Sequence, residues 1–477
     1  MQVRARLAAR AAAAYRATQA EPQRARIVVE AERISALNDA PERRGDYVLY
    51  WMQQSQRARC NPALEVAVAA ANRLRLPVLV AFVLFAPPPR AQLRHYTFMC
   101  EGLEETAREL QERGCGFVLR RGEPLAQLLE LAQDAALVIC DHGYLQPQQA
   151  WRVALARQAG RRVLRVEGDV VVPVRLASTR AEVAARTLRP KLARLRDGFL
   201  APLPAVHPKI SAARLRLGGT PEPGELLRLP ARLALATEAG AVESFHGGYH
   251  EARRRLRQFV SRRLPGYRAA RLLPGEPQVS TLSPYLHFGQ ISPVEVALTV
   301  RGARAAAAER GAFLEELIVR RELAANFVDF NPQYARYAGL PAWARQTLAQ
   351  HAQDAREWCY GYEQLAAARS HDPYWNAAMR EMRATGFMHN YMRMYWGKKV
   401  LEWSASPPEA HALLLRLNNS YFLDGRDASS YANVGWVFGL HDRPWPQRPL
   451  FGTVRYMNAA GLRRKTDIER YVSRWGG

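Results

Sequence analysis

Residues 76–85 read LPVLVAFVLF, ten residues without a polar side chain, and Pro87, Pro88 and Pro89 follow. The run is about half the roughly 20 residues a membrane-spanning helix needs. It also lacks the apolar–polar alternation of a strand with one wet face. A strand buried on both faces fits it, and such strands belong to parallel sheets. The flanking pattern agrees. Residues 47–51 read as a strand, 61–74 as an alanine-rich helix and 91–113 as a helix. Residues 116–120 are a strand, 124–132 a helix and 136–141 another strand. Strands alternating with helices predict a Rossmann-like α/β domain with a parallel sheet covered on both faces. Ligands of such sheets bind at the strand C-termini. Neither GxGxxG nor GxxxxGK[ST] occurs, so an occupied site and a bare scaffold both stay open here.

The next stretch, VLRVEGDVVVPV at 163–174, reads as strand, turn, strand. Between 201 and 242 proline, glycine and leucine replace steady periodicity, as in an interdomain linker with short helical pieces. From 243 the pattern is helical. Residues 251–264 place Ala252, Leu256, Phe259, Val260 and Leu264 on one face and most arginines elsewhere. Residues 313–330 and 385–403 read as further long helices. The boundaries are therefore 1–45, an arm; 46–200, the α/β domain; 201–242, the linker; and 243–477, an all-α domain.

Composition narrows the function. The net charge of +24 over 477 residues points to a polyanion, most naturally nucleic acid; an arginine-rich bias serving solubility is the plainer alternative. Five cysteines without a CxxC fit a reducing compartment and no disulfide framework. The arm, rich in arginine and alanine, lacks the apolar core of a secretory signal. A cytoplasmic protein with a poorly ordered or helical arm is expected, with no membrane segment.

Chemistry concentrates in four places. STLSPYLHFG at 280–289 puts small hydroxyl residues before Pro284, a helix start that suits a phosphate but is as often a plain cap. FLEELIVRRELAANF at 313–327 interleaves Glu315, Glu316 and Glu322 with Arg320 and Arg321. A Glu316–Arg320 ion pair one turn apart is the plain reading; a glutamate in a substrate cavity is the other. Trp396 and Trp403, seven residues apart, return to nearly one helix face. Trp375, in HDPYWN, extends that row, which serves core packing or redox hopping. Arg393 and Asp424 offer a buried ion pair that needs a polar partner, and Asn418 and Asn419 are amides that both donate and accept.

These stretches carry a resemblance. YVLYWMQQSQRARCNPAL, EVAARTLRPKL, LSPYLHFGQIS, FLEELIVRRELAANF, MRMYWGKKVLEW, FLDGRDASSYANVGWVFG and HDRPWP occur in order. From about residue 47 to 471 the chain resembles class II cyclobutane-pyrimidine-dimer photolyases of the photolyase/cryptochrome family. The resemblance implies an α/β antenna domain, a linker and an all-helical domain holding FAD, active in its reduced form. It implies FAD contacts at Tyr267, Ser280, Thr281, Leu282 and Ser283, and an Arg393–Asp424 bridge beside the flavin. It puts Asn418 at the flavin N5, with Asn419 as the alternative in the doubled amide. Trp396, Trp403 and Trp375 match the photoreduction relay, with Trp396 nearest the flavin. Glu316 holds the dimer carbonyls; Met394 and Trp436 wall the lesion pocket. Arg443 and Trp445 enter the duplex, and Arg271 positions FAD or DNA. The implied partner is double-stranded DNA containing a pyrimidine dimer, bound by a monomer. The antenna varies in the family, a deazaflavin or none. Two alternatives remain: a cryptochrome-like photoreceptor without repair, and a basic DNA-binding protein whose tryptophans are core.

Overall fold

The computed structural model describes residues 29–85, 92–215, 218–275 and 278–476. The expectations for residues 1–28 of the arm and for the prolines at 87–89 lie outside the described residues. Six strands make one sheet: β1 (Ile34–Ala36), β2 (Tyr47–Met52), β3 (Val78–Leu84), β4 (Gly116–Arg121), β5 (Ala135–Asp141) and β6 (Val163–Val166). Their order is β1-β6-β5-β2-β3-β4. Strands β2 to β6 pair in parallel, with Val48 opposite Val78 and Leu79 opposite Gly116. Both β2 and β3 are buried along their whole length, which is why their sequences carry no alternation.

Helices α1 (Pro62–Leu74), α2 (Leu93–Glu112), α3 (Pro124–Ala132) and α4 (Gln146–Gln158) make the crossovers. At the start of α1 the Asn61 side chain accepts from the Leu64 N–H, with Pro62 next in the chain. The apolar stripe of α4 buries only Arg152, Leu155 and Ala156, too little to read from the sequence.

Two features of the sheet domain depart from expectation. Strand β1, inside the expected arm, pairs antiparallel with β6. The second strand expected within 163–174 does not form. Its backbone groups are taken by side chains: Arg33 donates to the Glu167, Val170 and Val171 carbonyls, and Glu322 accepts from the Val171 and Val172 N–H groups. With those groups satisfied, the valine run is buried without a ladder.

Helix α5 (Ala185–Phe199) leads into residues 201–242, where the described residues form short helical turns and one isolated bridge from Ala236 to Gln92, and Leu226 and Leu229 pack into the sheet's core. Beyond them lie α6 (Tyr249–Gln258), α7 (Arg321–Phe330), α8 (Pro373–Thr385), α9 (Asn390–Trp403), α10 (Pro407–Tyr421), α11 (Ala428–Val437) and α12 (Ile468–Trp475), among shorter helices. The helix expected at 313–330 is interrupted by a π-helical segment, Glu315–Arg320. The helix expected at 385–403 begins only at Asn390, because Gly386 (φ +69°) closes α8 in the left-handed region.

Buried arginines tie the two layers together. Arg94 of α2 donates to the carbonyls of Met382, Arg383 and Tyr421, and Arg57 to those of Gly168 and Gly289. No helix among the described residues is long and apolar enough to cross a membrane.

Candidate active site

The helical part surrounds a cavity of about 330 Å3. Tyr267 and Arg271 line it, as do Ser280, Thr281, Leu282, Ser283, Glu316, Arg393, Asp424 and Trp436. Ten of the expected residues thus line one cavity.

The loop before the short helix Ser283–His287 presents its hydroxyls without the expected cap. Leu282 occupies the N-cap position, no side chain caps the end, and Thr281 is left-handed at φ +56°. Within the loop the Thr281 hydroxyl donates to the Ser280 carbonyl at 2.7 Å.

Arg393 donates to Asp424 Oδ2 at 3.0 Å and to the Met388 carbonyl at 3.2 Å. Its guanidinium lies 3.8 Å from the Phe422 ring centroid. Asp424 Oδ1 is buried with no hydrogen-bond partner. An orphaned acceptor is costly unless a donor reaches it. A planar ring carrying N–H groups would meet that need, so these residues fit a flavin.

Glu316 does not pair with Arg320. It accepts from Arg271 at 2.7 Å, while Arg320 reaches Glu315 at 3.4 Å. The cause is the π-helix, whose wider turn brings residues five apart together. Glu315 is further occupied by Arg189 of α5.

The tryptophans form a continuous row in an unexpected order. Trp375 sits between the other two: stacked on Trp396 at 6.3 Å and 11°, and edge-on to Trp403 at 5.8 Å. Its indole N–H donates to the Trp396 carbonyl at 3.0 Å. Asp372 sets this up, because its carboxylate caps α8 through the Tyr374 and Trp375 N–H groups and accepts the Tyr395 hydroxyl from α9. Burial and that carboxylate hold the Tyr395 hydroxyl far above its ordinary range. Trp396 does not line the cavity itself. It lies one turn beyond Arg393 and meets Phe422 at 6.1 Å, edge to face.

Some expected residues fall elsewhere. Asn418 is buried, does not line the cavity, and donates to Asn419 Oδ1, which also accepts the Arg426 N–H. Adjacent amides on one helix engage each other first. Asn433 of α11 lines the cavity instead. Met394 is partly exposed and outside the lining. Arg443 and Trp445 stand on a turn outside the cavity, closed by a bridge between Arg448 and Gly452. There the Arg443 and Arg455 guanidiniums lie 5.1 and 4.3 Å from the Trp445 ring centroid, and Asp442 holds Arg455 at 2.8 Å.

Sequence reasoning missed Arg455 and Lys398. Lys398 is wholly buried, donates to the Val437 carbonyl and lies 5.0 Å from the Trp436 ring. Burial lowers its amine to about 7. The signal was a lysine four residues after Met394, on the buried face of an aromatic helix.

A second cavity, about 190 Å3 and mostly apolar, opens at the C-terminal ends of β2 and β3. Trp51, Phe85 and Trp151 line it from the sheet side, and His287 and Arg426 from the helical side.

A parallel-sheet domain is thus joined to a helical domain that encloses a cavity of mixed polar and apolar lining, with an indole row packed behind it. Comparison with known proteins agrees. The DNA photolyase family model matches residues 48–209. The deoxyribodipyrimidine photo-lyase of Methanothermobacter thermautotrophicus is 44% identical over 451 residues, covering 94% of this chain and 99% of that protein. The enzyme of that name from Oryza sativa subsp. japonica is 38% identical over 454 residues, 92% of this chain and 90% of that one. In fold, the chain matches a class III photolyase of Agrobacterium tumefaciens (TM-score 0.70, 21% identity, 92% of this chain and 88% of that). It also matches a cryptochrome of Synechocystis sp. PCC6803 (TM-score 0.70, 17% identity, 91% and 89%). The chain belongs to the DNA photolyase family.

Proposed function

We propose that this chain is a light-dependent repair enzyme for cyclobutane pyrimidine dimers in DNA, of the class II kind. The observation that carries the reading is the single cavity gathering Tyr267, residues 280–283, Glu316, Arg393, Asp424 and Trp436. When bound, reduced FAD would supply the photoexcited electron that the splitting of the dimer needs. The chain's residues bind, orient and insulate. Arg393, held by Asp424, presents positive charge at the cavity wall and would steady an anionic ring, and the free Asp424 oxygen would accept a ring N–H. Ser280, Thr281 and Ser283, which line the cavity, would hold the cofactor's phosphates.

Glu316 and Arg271 face the lesion as a pair. An ionised carboxylate only accepts and a guanidinium only donates. Glu316 therefore takes a base N–H while Arg271 donates to a dimer carbonyl, where negative charge develops. Trp436, backed by Lys398, is the apolar wall. Arg443 and Trp445 fill the gap left in the duplex by extrusion, whose cost of a few kcal/mol is smallest for a damaged pair. Trp403, Trp375 and Trp396, in that order, carry electrons inward when the flavin is oxidised. The apolar cavity at the ends of β2 and β3 is the place for an antenna chromophore, a planar ring such as a deazaflavin. The enzyme acts as a monomer in the cytoplasm.

The test is FAD uptake. Titration of the purified protein with oxidised FAD should saturate at one equivalent with a structured flavin spectrum. Asp424→Ala should bind more weakly by about tenfold or more, the worth of a charge-assisted hydrogen bond. A protein that takes up no flavin contradicts the reading.

A further inference from the structure

The indole row does not reach solvent at Trp403, which is only 2% exposed. Its outer side meets His371 at 5.1 Å and Tyr360 at 5.4 Å between ring centroids. Beyond them lies Trp358, 42% exposed. It stacks on His371 at 4.5 Å with planes 19° apart, and parallel to Tyr360 at 6.3 Å. Hydrogen bonds fix the group. The Tyr360 N–H donates to the Trp403 carbonyl at 3.2 Å, the His371 N–H donates to the Tyr360 hydroxyl at 3.1 Å, and that hydroxyl pairs with His371 Nδ1 at 2.8 Å.

We propose that Trp358 is the surface exit of the electron relay, a fourth indole that receives the positive hole from Trp403 and is refilled there by a small-molecule thiol. The proposal rests on the relay reading given above. Its driving force is electrostatic. A cation on buried Trp403 lacks hydration, which disfavours it strongly. The Lys399 ammonium, 5.6 Å from the Trp403 ring centroid, disfavours it further, although Glu402 at 2.8 Å offsets part of that charge. At Trp358 the same hole is hydrated. The ring of His371 spans the gap without being oxidised.

The step balances. Trp358 gives up one electron to the hole on Trp403, and its N–H proton passes to water. A thiolate then returns one electron and becomes a thiyl radical, two of which couple to a disulfide. Water returns the proton to the indole.

Flash excitation of protein carrying oxidised flavin, with and without added thiol, reads the indole radical directly. Peptide mass spectrometry after illumination in air without thiol reads where oxidation accumulates. The wild type should show a long-lived indole signal shortened by thiol, with oxidation on Trp358. Trp358→Phe should keep the prompt radical and lose the long-lived, thiol-sensitive phase. Because the residue is exposed, its melting temperature should not change. A Trp358→Phe protein with that phase intact overturns the proposal, as does loss of the phase in Tyr360→Phe alone, which would make the phenol the exit. Trp396→Phe separates the two readings: it should lack the prompt radical, and a normal prompt radical there would contradict the relay itself.

Discussion

Glu316 and Arg271 hold each other at 2.7 Å on the cavity wall, each about a third exposed. A pair so placed can be shared with a ligand at little desolvation cost, unlike a fully buried one. Glu316→Ala should leave flavin absorption unchanged and lower lesion binding or repair yield about ten- to hundredfold, the range for losing a hydrogen bond to a charged group. An unchanged yield, measured on dimer-containing oligonucleotides, would reduce the pair to a surface ion pair. These residues were readable because their chemistry is unusual for their setting: acids and arginines inside aromatic helices, hydroxyls before a proline. Their pairings were not. Which arginine meets Glu316 depends on a π-turn that adds no residue pattern of its own. The same holds for Asn418, whose neighbour Asn419 is close enough to take its hydrogen bond.

At the scale of elements, the relay depends on how α8 meets α9. Gly386 ends α8 in a left-handed turn, and a Cβ there would sit 2.6 Å from Leu423 Cγ. Its carbonyl accepts the Leu423 N–H, which fixes the chain just before Asp424. Gly386→Ala should destabilise the protein by about 2 kcal/mol through backbone strain alone, seen as a lower Tm. Flavin retention should weaken with it, since Arg393 and Asp424 flank the turn. The sequence read this region as one helix because no proline interrupts it and the apolar spacing carries across. The sheet was far more legible. Strands buried on both faces announce themselves as unbroken apolar runs, and α3 has the bounds its spacing gave. The valines at 170–172 have the same composition but no ladder, because Arg33 and Glu322 satisfy their backbone from elsewhere in the chain. Composition cannot register such distant partners.

For the whole molecule, two properties matter: how the domains hold together, and how the surface meets DNA. Glu322 of α7 is wholly buried and accepts two N–H groups from the α/β domain. Burial pushes its carboxyl up to about 8, overriding the lowering by those two N–H groups. A carboxyl raised in the folded state favours folding below its unfolded value, and that contribution is lost as pH rises through the folded one. The wild-type Tm should therefore fall between about pH 5 and pH 9 by more than that of Glu322→Gln, which cannot ionise. Equal slopes in a thermal-melt series would remove the argument.

The net charge of +24 suits a nucleic-acid partner. Binding to duplex should weaken linearly in log salt, and Arg443→Ala should lower the slope by about 0.9 if that side chain neutralises one phosphate. An unchanged slope would take Arg443 off the DNA. The most direct test of the central claim is light-driven dimer loss. Reduced, FAD-loaded protein is mixed with a thymine-dimer duplex, and intact dimer is counted by chromatography after blue illumination and after an equal time in the dark. The account predicts restored thymines in the light and none in the dark, with many turnovers per protein. A flavin-loaded protein that leaves the dimers intact in the light would contradict it, and would make the chain a photoreceptor that shares this fold.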